Sequence, residues 1–345
     1  MIAEPFVPAL GGHPSRPEPT TCDRHAMNGP AWGRRLMRRR DFMATAAAAV
    51  FASPMGARAQ EVPYSKGTQP PGLKLPPLAC DCHMHIYDSR FPAAASATIK
   101  PPDAAVGDYR KLQARLGSTR NVVVTPSTYG TDNRVTLAAI EALGPTARGI
   151  GVVGPDVSVE ELKALHAGGI RGIRFNLAVG AFLTPEMIAP LSRKIAEFGW
   201  HVQVNMAPDL LLSLGEVLMN LPTPLVVDHL ARIPQPAGVD HPAFALMRRL
   251  LDKGHGWVKL SGAYISSVDG TPDYADAGRV AAAFAKAAPE RVLWGSDWPH
   301  PTKADKPDDA ALLDLVGQWV PDTAARQKLF VDNPTRLFGF QPHAR

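Results

Sequence analysis

Cysteine is scarce: the 345 residues hold three, Cys22, Cys80 and Cys82. That is too few for the disulfide framework of a small extracellular scaffold. Cys80 and Cys82 are two apart in an apparent strand, where an extended chain sets their Cα atoms about 6.5–7 Å apart. This is at or beyond disulfide reach, so both are expected as buried packing residues. Long hydrophobic runs are also missing. The apolar stretch from Phe42 to about Ala52 falls short of the roughly 20 residues that cross a bilayer, so no membrane segment is expected. No glycine-rich phosphate turn follows the first strand candidate, which argues against an open dinucleotide-binding sheet. Charge of one sign is scarce as well once the N-terminus is set aside. The chain carries 37 Lys and Arg against 32 Asp and Glu. Eight of those arginines and four of those acids lie in residues 1–59, leaving 29 against 28. The sequence pI near 9.1 therefore reports on the tail and gives no ground for nucleic-acid binding.

The tail reads as a targeting segment. "RRLMRRRDFMATAAAAVFASPMGARAQ" has a basic region, a short apolar stretch and a small-x-small site, Ala57-Arg58-Ala59, before Gln60. Arg39-Arg40 followed by Asp41, Phe42 and Met43 resembles a bacterial twin-arginine export signal, read by machinery that moves folded proteins. Residues 1–36 fit no signal logic, so Met37 is the expected start and the periplasm the expected destination. Residues 60–77, "QEVPYSKGTQPPGLKLPP", are a Pro- and Gly-rich linker or wrapped arm.

From there the chain alternates. Short β-branched runs fall at 78–86, 121–127, 147–154, 170–176, 200–206, 224–230, 257–262 and 292–297, separated by amphipathic stretches such as "SVEELKALHAGG" and "DYADAGRVAAAFAKAAPE". Eight strand–helix units imply parallel strands and predict a single-domain α/β fold, a (β/α)₈ TIM barrel over 78–340. In such a barrel function sits at the C-terminal strand ends. The polar residues gather there: His83 and His85, Ser127, Arg174 and Asn176, Asn205, His229, Ser261 and Asp297. Period-two alternation places Asp81, His83 and His85 on one face, with Asp81 a buried acceptor and Lys259 its suggested ion-pair partner. "NPTRLFGF" predicts a C-terminal helix capped by Asn333, begun by Pro334 and ended by Gly339.

A first strand ending "DCHMH", a sixth reading "VVDHLAR" and an eighth reading "VLWGSDWPHP" resemble the amidohydrolase superfamily over residues 78–340. "TPSTYGTDN", "GIRGIRFNL", "KLSGAY" and "NPTRLFGF" are similar to its branch of 2-pyrone-4,6-dicarboxylate lactonases, sulfomuconolactone hydrolases and galactarolactone isomerases. The resemblance implies a hydrolase opening a lactone or related cyclic ester. Asp297 would be the general base activating water, and His83, His85 and His229 would polarise the carbonyl and stabilise the oxyanion.

Metal-bearing relatives usually place a histidine or carboxylated lysine on strand five. Here Asn205 stands in that place, and an amide oxygen is a poor zinc ligand. A cofactor-free site is therefore favoured, with His83, His85, His229 and Asp297 as the ligand set if zinc binds. Substrate contacts are expected from Arg174, Asn176, Ser127, Tyr129, Asn205, Arg232, Tyr264 and His300. Arg174 and Arg232 suit carboxylates. The lack of a second basic residue in "RFNLAVGAF" and the presence of Tyr264 after strand seven point to a monoanionic or more apolar lactone rather than a pyrone dicarboxylate, with an anionic lactone expected. The competing readings are a zinc-dependent amidohydrolase or decarboxylase, a lactone isomerase, and an inactive periplasmic binding protein on the same barrel. Whether the chain forms a homo-oligomer is left open.

Overall fold

A computed structural model describes residues 61–179 and 182–341. The expected export segment and Cys22 lie outside them. Eight strands form one parallel sheet in sequence order: β1 Cys80–Met84, β2 Arg120–Val124, β3 Ala147–Gly151, β4 Ile170–Asn176, β5 His201–Asn205, β6 Leu225–Val227, β7 Gly256–Leu260 and β8 Val292–Trp294. Helices cover the outside, and the result is a TIM barrel. No described helix is long and apolar enough to cross a membrane. β8 returns to β1 just past the end of its regular pairing. There Asp297 N–H donates to His83 O and His85 N–H to Trp298 O, both at 2.8 Å. Gly295 permits this seam: a Cβ there would stand 2.6 Å from His83 Cβ and 2.8 Å from His83 N.

The barrel interior is stacked in two layers. The lower is apolar: Cys80 and Cys82, both free thiols, pack with Val122, Val124, Ile150, Val226, Trp257 and Leu293 over Phe338 and Phe340. Above it lie His83, Arg174, Gln203, Asp228 and Lys259, all buried. The strands are shorter than the sequence suggests, since polar strand ends leave the ladder to reach the site. Ser127, expected to end the second strand, lies in a turn beyond it.

Two expectations about β1 are corrected. The pairing of β1 with β2 shifts register between Asp81 and Met84, a bulge that inverts the inside–outside alternation. Asp81 therefore turns away from His83 and His85. It accepts hydrogen bonds from Tyr109 Oη (3.0 Å), Ser296 Oγ (2.6 Å), and the Ser296 and His83 N–H groups (2.9 and 3.1 Å). Its partner is thus not Lys259. Lys259 lies in the interior beside Asp228, with Nζ 3.3 Å from Oδ1.

Asn333 does not cap the last helix, Asn333–Phe338. The preceding residues are already helical, and its side chain donates to the carbonyls of Pro289 and Val292 at 2.9 Å. This pins the helix to the start of β8. Gly339 ends it in the left-handed conformation, φ 63°. Residues 61–77 form an arm against the β8 end. Trp298 Nε1 donates to Pro63 O (2.8 Å), and Tyr64 meets the Trp298 ring edge-on.

Candidate active site

The four ionisable groups His83, His85, His229 and Asp297 each come from a strand end or the turn just past it. The bulge turns His83 inward, and alternation brings His85 after it. His83 Nε2 and His85 Nε2 lie 3.2 Å apart. His229 follows β6, where His229–Arg232 make one left-handed turn with φ between 50° and 54°. Such backbone costs roughly 1–2 kcal/mol per non-glycine residue and is characteristic of functional sites. Asp297 is also left-handed, φ 63°. Its Oδ1 faces three imidazoles: His83 Nε2 at 3.6 Å, His85 Nε2 at 3.7 Å and His229 Nε2 at 3.8 Å. Its Oδ2 accepts from Tyr264 Oη at 2.7 Å.

These groups share one electrostatic setting. Burial pushes the His85 imidazole down to about 4, and Arg174 adds to the shift. Burial lowers His83 and His229 as well. Burial alone would raise Asp297, but the surrounding imidazoles of His229, His83 and His85 outweigh it and hold the carboxyl well below the usual range. Near neutral pH the site is an ionised carboxylate facing neutral rings.

The tautomers decide what those rings offer. His85 Nδ1–H donates to Val124 O at 2.7 Å, so its neutral ring presents an Nε2 lone pair to the site. In that form His85 has no Nε2 proton to donate to a carbonyl. His229 Nδ1 lies 3.0 Å from Ser261 Oγ, a hydroxyl able to donate, which leaves His229 free to carry its proton on Nε2. His83 Nδ1 sits between Lys259 Nζ (3.1 Å) and Asp228 Oδ1 (3.3 Å).

Asp228 anchors the layer beneath. Its Oδ2 takes Arg174 Nε (3.2 Å) and Gln203 Nε2 (3.1 Å), while Lys259 Nζ also donates to Gln203 Oε1 (2.8 Å). Burial opposes the Asp228 charge, and Lys259 and His83 overcome it, holding the group well below the ordinary range. The sequence marked Asp228 only as the neighbour of His229. Its role as hub depends on four strands meeting.

A cavity of about 440 Å³ opens above, lined by His85, Ser127, Arg174, Asn176, Asn205, His229, Arg232, Tyr264 and Asp297. One wall is a hydrogen-bonded chain across three strands. Asn205 Nδ2 donates to Asn176 Oδ1 (3.0 Å) and Asn176 Nδ2 to Ser127 Oγ (2.8 Å), while the buried Asn205 Oδ1 has no partner among the described residues. Arg232 makes no side-chain hydrogen bond among the described residues.

Two expected contacts lie elsewhere. The Tyr129 hydroxyl is spent on Asp88, accepting from its N–H at 2.8 Å, outside the lining. His300 is fully buried behind Tyr264. Tyr87 and Lys303 join the lining without having been anticipated. Tyr87 follows His85 by two, and Lys303 follows "DWPH" by three, spacings that a strand-end search stops short of.

The His83, His85 and Asp297 atoms test whether a metal would fit. Tetrahedral zinc with bonds of about 2.0–2.1 Å sets its ligand atoms about 3.3–3.4 Å apart. The edges here are 3.2, 3.6 and 3.7 Å, and His85 presents a lone pair held by a carbonyl on its far nitrogen. The donor set suits a divalent cation.

Residues 80–340 match the amidohydrolase family. The chain is 38% identical to a 4-sulfomuconolactone hydrolase of Rhizobium radiobacter, covering 82% of this chain and 95% of that one. It is 36% identical to a 2-pyrone-4,6-dicarboxylate hydrolase of Comamonas testosteroni, covering 78% and 92%. A crystal structure of a probable 2-pyrone-4,6-dicarboxylic acid hydrolase from Acinetobacter baumannii, with citric acid bound, superposes with a TM-score of 0.68 at 29% identity, covering 76% and 100%.

Proposed function

The chain belongs to the amidohydrolase family, and from that premise we propose that it hydrolyses anionic lactones, with Asp297 taking the proton of the attacking water. The observation that carries this reading is Asp297 Oδ1, an ionised oxygen at the cavity floor within 3.6–3.8 Å of three imidazole Nε2 atoms. Water between Asp297 and a bound lactone attacks the acyl carbon as its proton passes to Oδ1. His229, protonated on Nε2 when Nδ1 accepts from Ser261, donates to the developing oxyanion. Collapse breaks the acyl–oxygen bond, and the proton on Asp297 goes to the leaving alkoxide. Arg232 and Lys303, cations of the cavity lining, suit the substrate's anionic group. His83, His85 and Asp297 would hold a divalent cation, with His229 beside it. Such an ion, when bound, polarises the carbonyl and acidifies water.

The test is turnover of 4-sulfomuconolactone, 2-pyrone-4,6-dicarboxylate and D-galactarolactone by the purified protein, with and without chelator. It is followed by proton release and by NMR of the products. Ring-opened acid supports the reading, and loss with chelator assigns the cation a part. Release of carbon dioxide, an isomerised but closed lactone, or tight binding without turnover would each replace it with a rival. We also propose export to the periplasm through the twin-arginine route. Mass spectrometry of the mature protein should find its N-terminus at Gln60, and an N-terminus well upstream would reject this.

A further inference from the structure

Behind Asp297, on the side away from the histidines, three buried residues form a line. Tyr264 Oη lies 2.7 Å from Asp297 Oδ2 and 2.8 Å from His300 Nδ1. His300 Nε2 lies 3.2 Å from Asp309 Oδ2. Tyr264 is 7% exposed, His300 0% and Asp309 1%. A phenol has one proton to give, and an ionised Asp297 can only accept. Tyr264 therefore donates to Asp297 and accepts from His300 Nδ1–H, and with Asp309 Oδ2 facing Nε2 the line is complete when both ring nitrogens of His300 donate. Its donor is spent before substrate arrives, so the hydroxyl cannot also donate to a carboxylate or carbonyl in the cavity.

The backbone makes this line possible. The Asp297 carbonyl accepts from His300 N–H at 2.8 Å, so the turn "DWPH" folds back and puts His300 under the tyrosine delivered from beyond β7. Asp309 begins the helix Asp309–Trp319, and its N–H donates to Ser65 Oγ of the N-terminal arm (3.2 Å).

We infer that Tyr264 is the positioning residue for Asp297, clamping Oδ2 so that Oδ1 faces the three Nε2 atoms, and that His300, backed by Asp309, acts through Tyr264. This rests on the lactonase reading for its kinetic consequence but not for its geometry. Among the described residues, Tyr264 supplies the one hydrogen bond to Asp297 Oδ2. Misplacing a reacting group by about 1 Å can cost about a hundredfold in rate.

The experiment is a double-mutant cycle in the full chain: Tyr264→Phe, His300→Gln and both together, assayed on whichever of the three lactones turns over. Melting curves confirm folding. Tyr264→Phe should lower kcat at least about tenfold and move KM less than about twofold. His300→Gln should lower kcat less, and cost nothing further when added to Tyr264→Phe, because the two act in series. A raised KM with unchanged kcat would make Tyr264 a substrate ligand and overturn the inference, as would additive losses. If wild type opens none of the lactones, the functional reading fails alone. The crystal structure of Tyr264→Phe then decides: an Asp297 carboxylate turned away from the histidines supports the clamp, and one that stays in place rejects it.

Discussion

Asp297 and His83 are joined twice. The Asp297 N–H donates to the His83 carbonyl at 2.8 Å, and Asp297 Oδ1 stands 3.6 Å from His83 Nε2. One of the two main-chain bonds that close the barrel therefore also sets the proposed base against its imidazoles. Residues more than two hundred positions apart are held in register by main chain.

Asp297→Asn keeps the shape and removes the charge. It should lower kcat by about 10²–10⁴-fold, the usual worth of a general base, while product affinity measured by calorimetry changes little. Retained turnover would remove Asp297 from the chemistry.

Gly295→Ala should damage both stability and rate. The added methyl would lie 2.8 Å from His83 N, a backbone atom that cannot swing aside. Overpacking of this kind costs about 1–3 kcal/mol, and chemical denaturation together with kcat measures both effects. An alanine variant indistinguishable from wild type would mean the seam is looser than described.

Arg232→Ala should raise KM for an anionic lactone by about 10–100-fold, the worth of a charged hydrogen bond of about 1.5–3 kcal/mol, with kcat nearly unchanged. A neutral lactone assayed in parallel should show no such shift.

Zinc should raise the melting temperature of the purified protein, and His85→Ala should remove that rise. Differential scanning calorimetry with and without the ion reads this independently of activity. An equal rise in the variant would place the ion elsewhere.

The acid limb of stability carries a signature from His201, which lies low in the barrel. Burial, aided by the nearby Lys259 charge, pushes its imidazole down to about 3, and neither ring nitrogen makes a well-formed hydrogen bond among the described residues. The folded ring stays neutral while the unfolded one protonates below about 6.5. Stability should thus fall as pH drops from about 6.5 towards 3, by up to about 1.4 kcal/mol per unit from this residue. Asp81, raised to about 6 by burial, acts in the opposite sense, favouring the folded state as pH falls from about 6 to 4. Urea titrations from pH 4 to 8 should show a shallower acid slope in His201→Leu than in wild type. An unchanged slope would mean His201 protonates in the folded state.

Much of this was legible along the chain. Eight β-branched runs alternating with amphipathic segments set the barrel, because parallel strands buried on both faces demand that pattern. The strand-end rule then gathered His83, His85, His229 and Asp297 without any coordinates. It failed where periodicity fails. Strict alternation would set Asp81 beside Lys259, but a single bulge in β1 turns one outward and leaves the other inside. Tyr129 and His300 follow strand ends and so read as substrate contacts, but the loops turn both hydroxyl and ring back into protein.

The amino-acid order by itself determined the strand count, their parallel sense and the residue types available at the barrel mouth, since these depend on local periodicity and composition. Only the tertiary structure decided which nitrogen of each histidine faces the cavity, which carboxylate anchors the buried layer and which tyrosine holds the base. Those depend on hydrogen bonds between strands far apart in sequence, such as Val124 O with His85 Nδ1 and Tyr264 Oη with Asp297 Oδ2, and no pattern along the chain carries their directions.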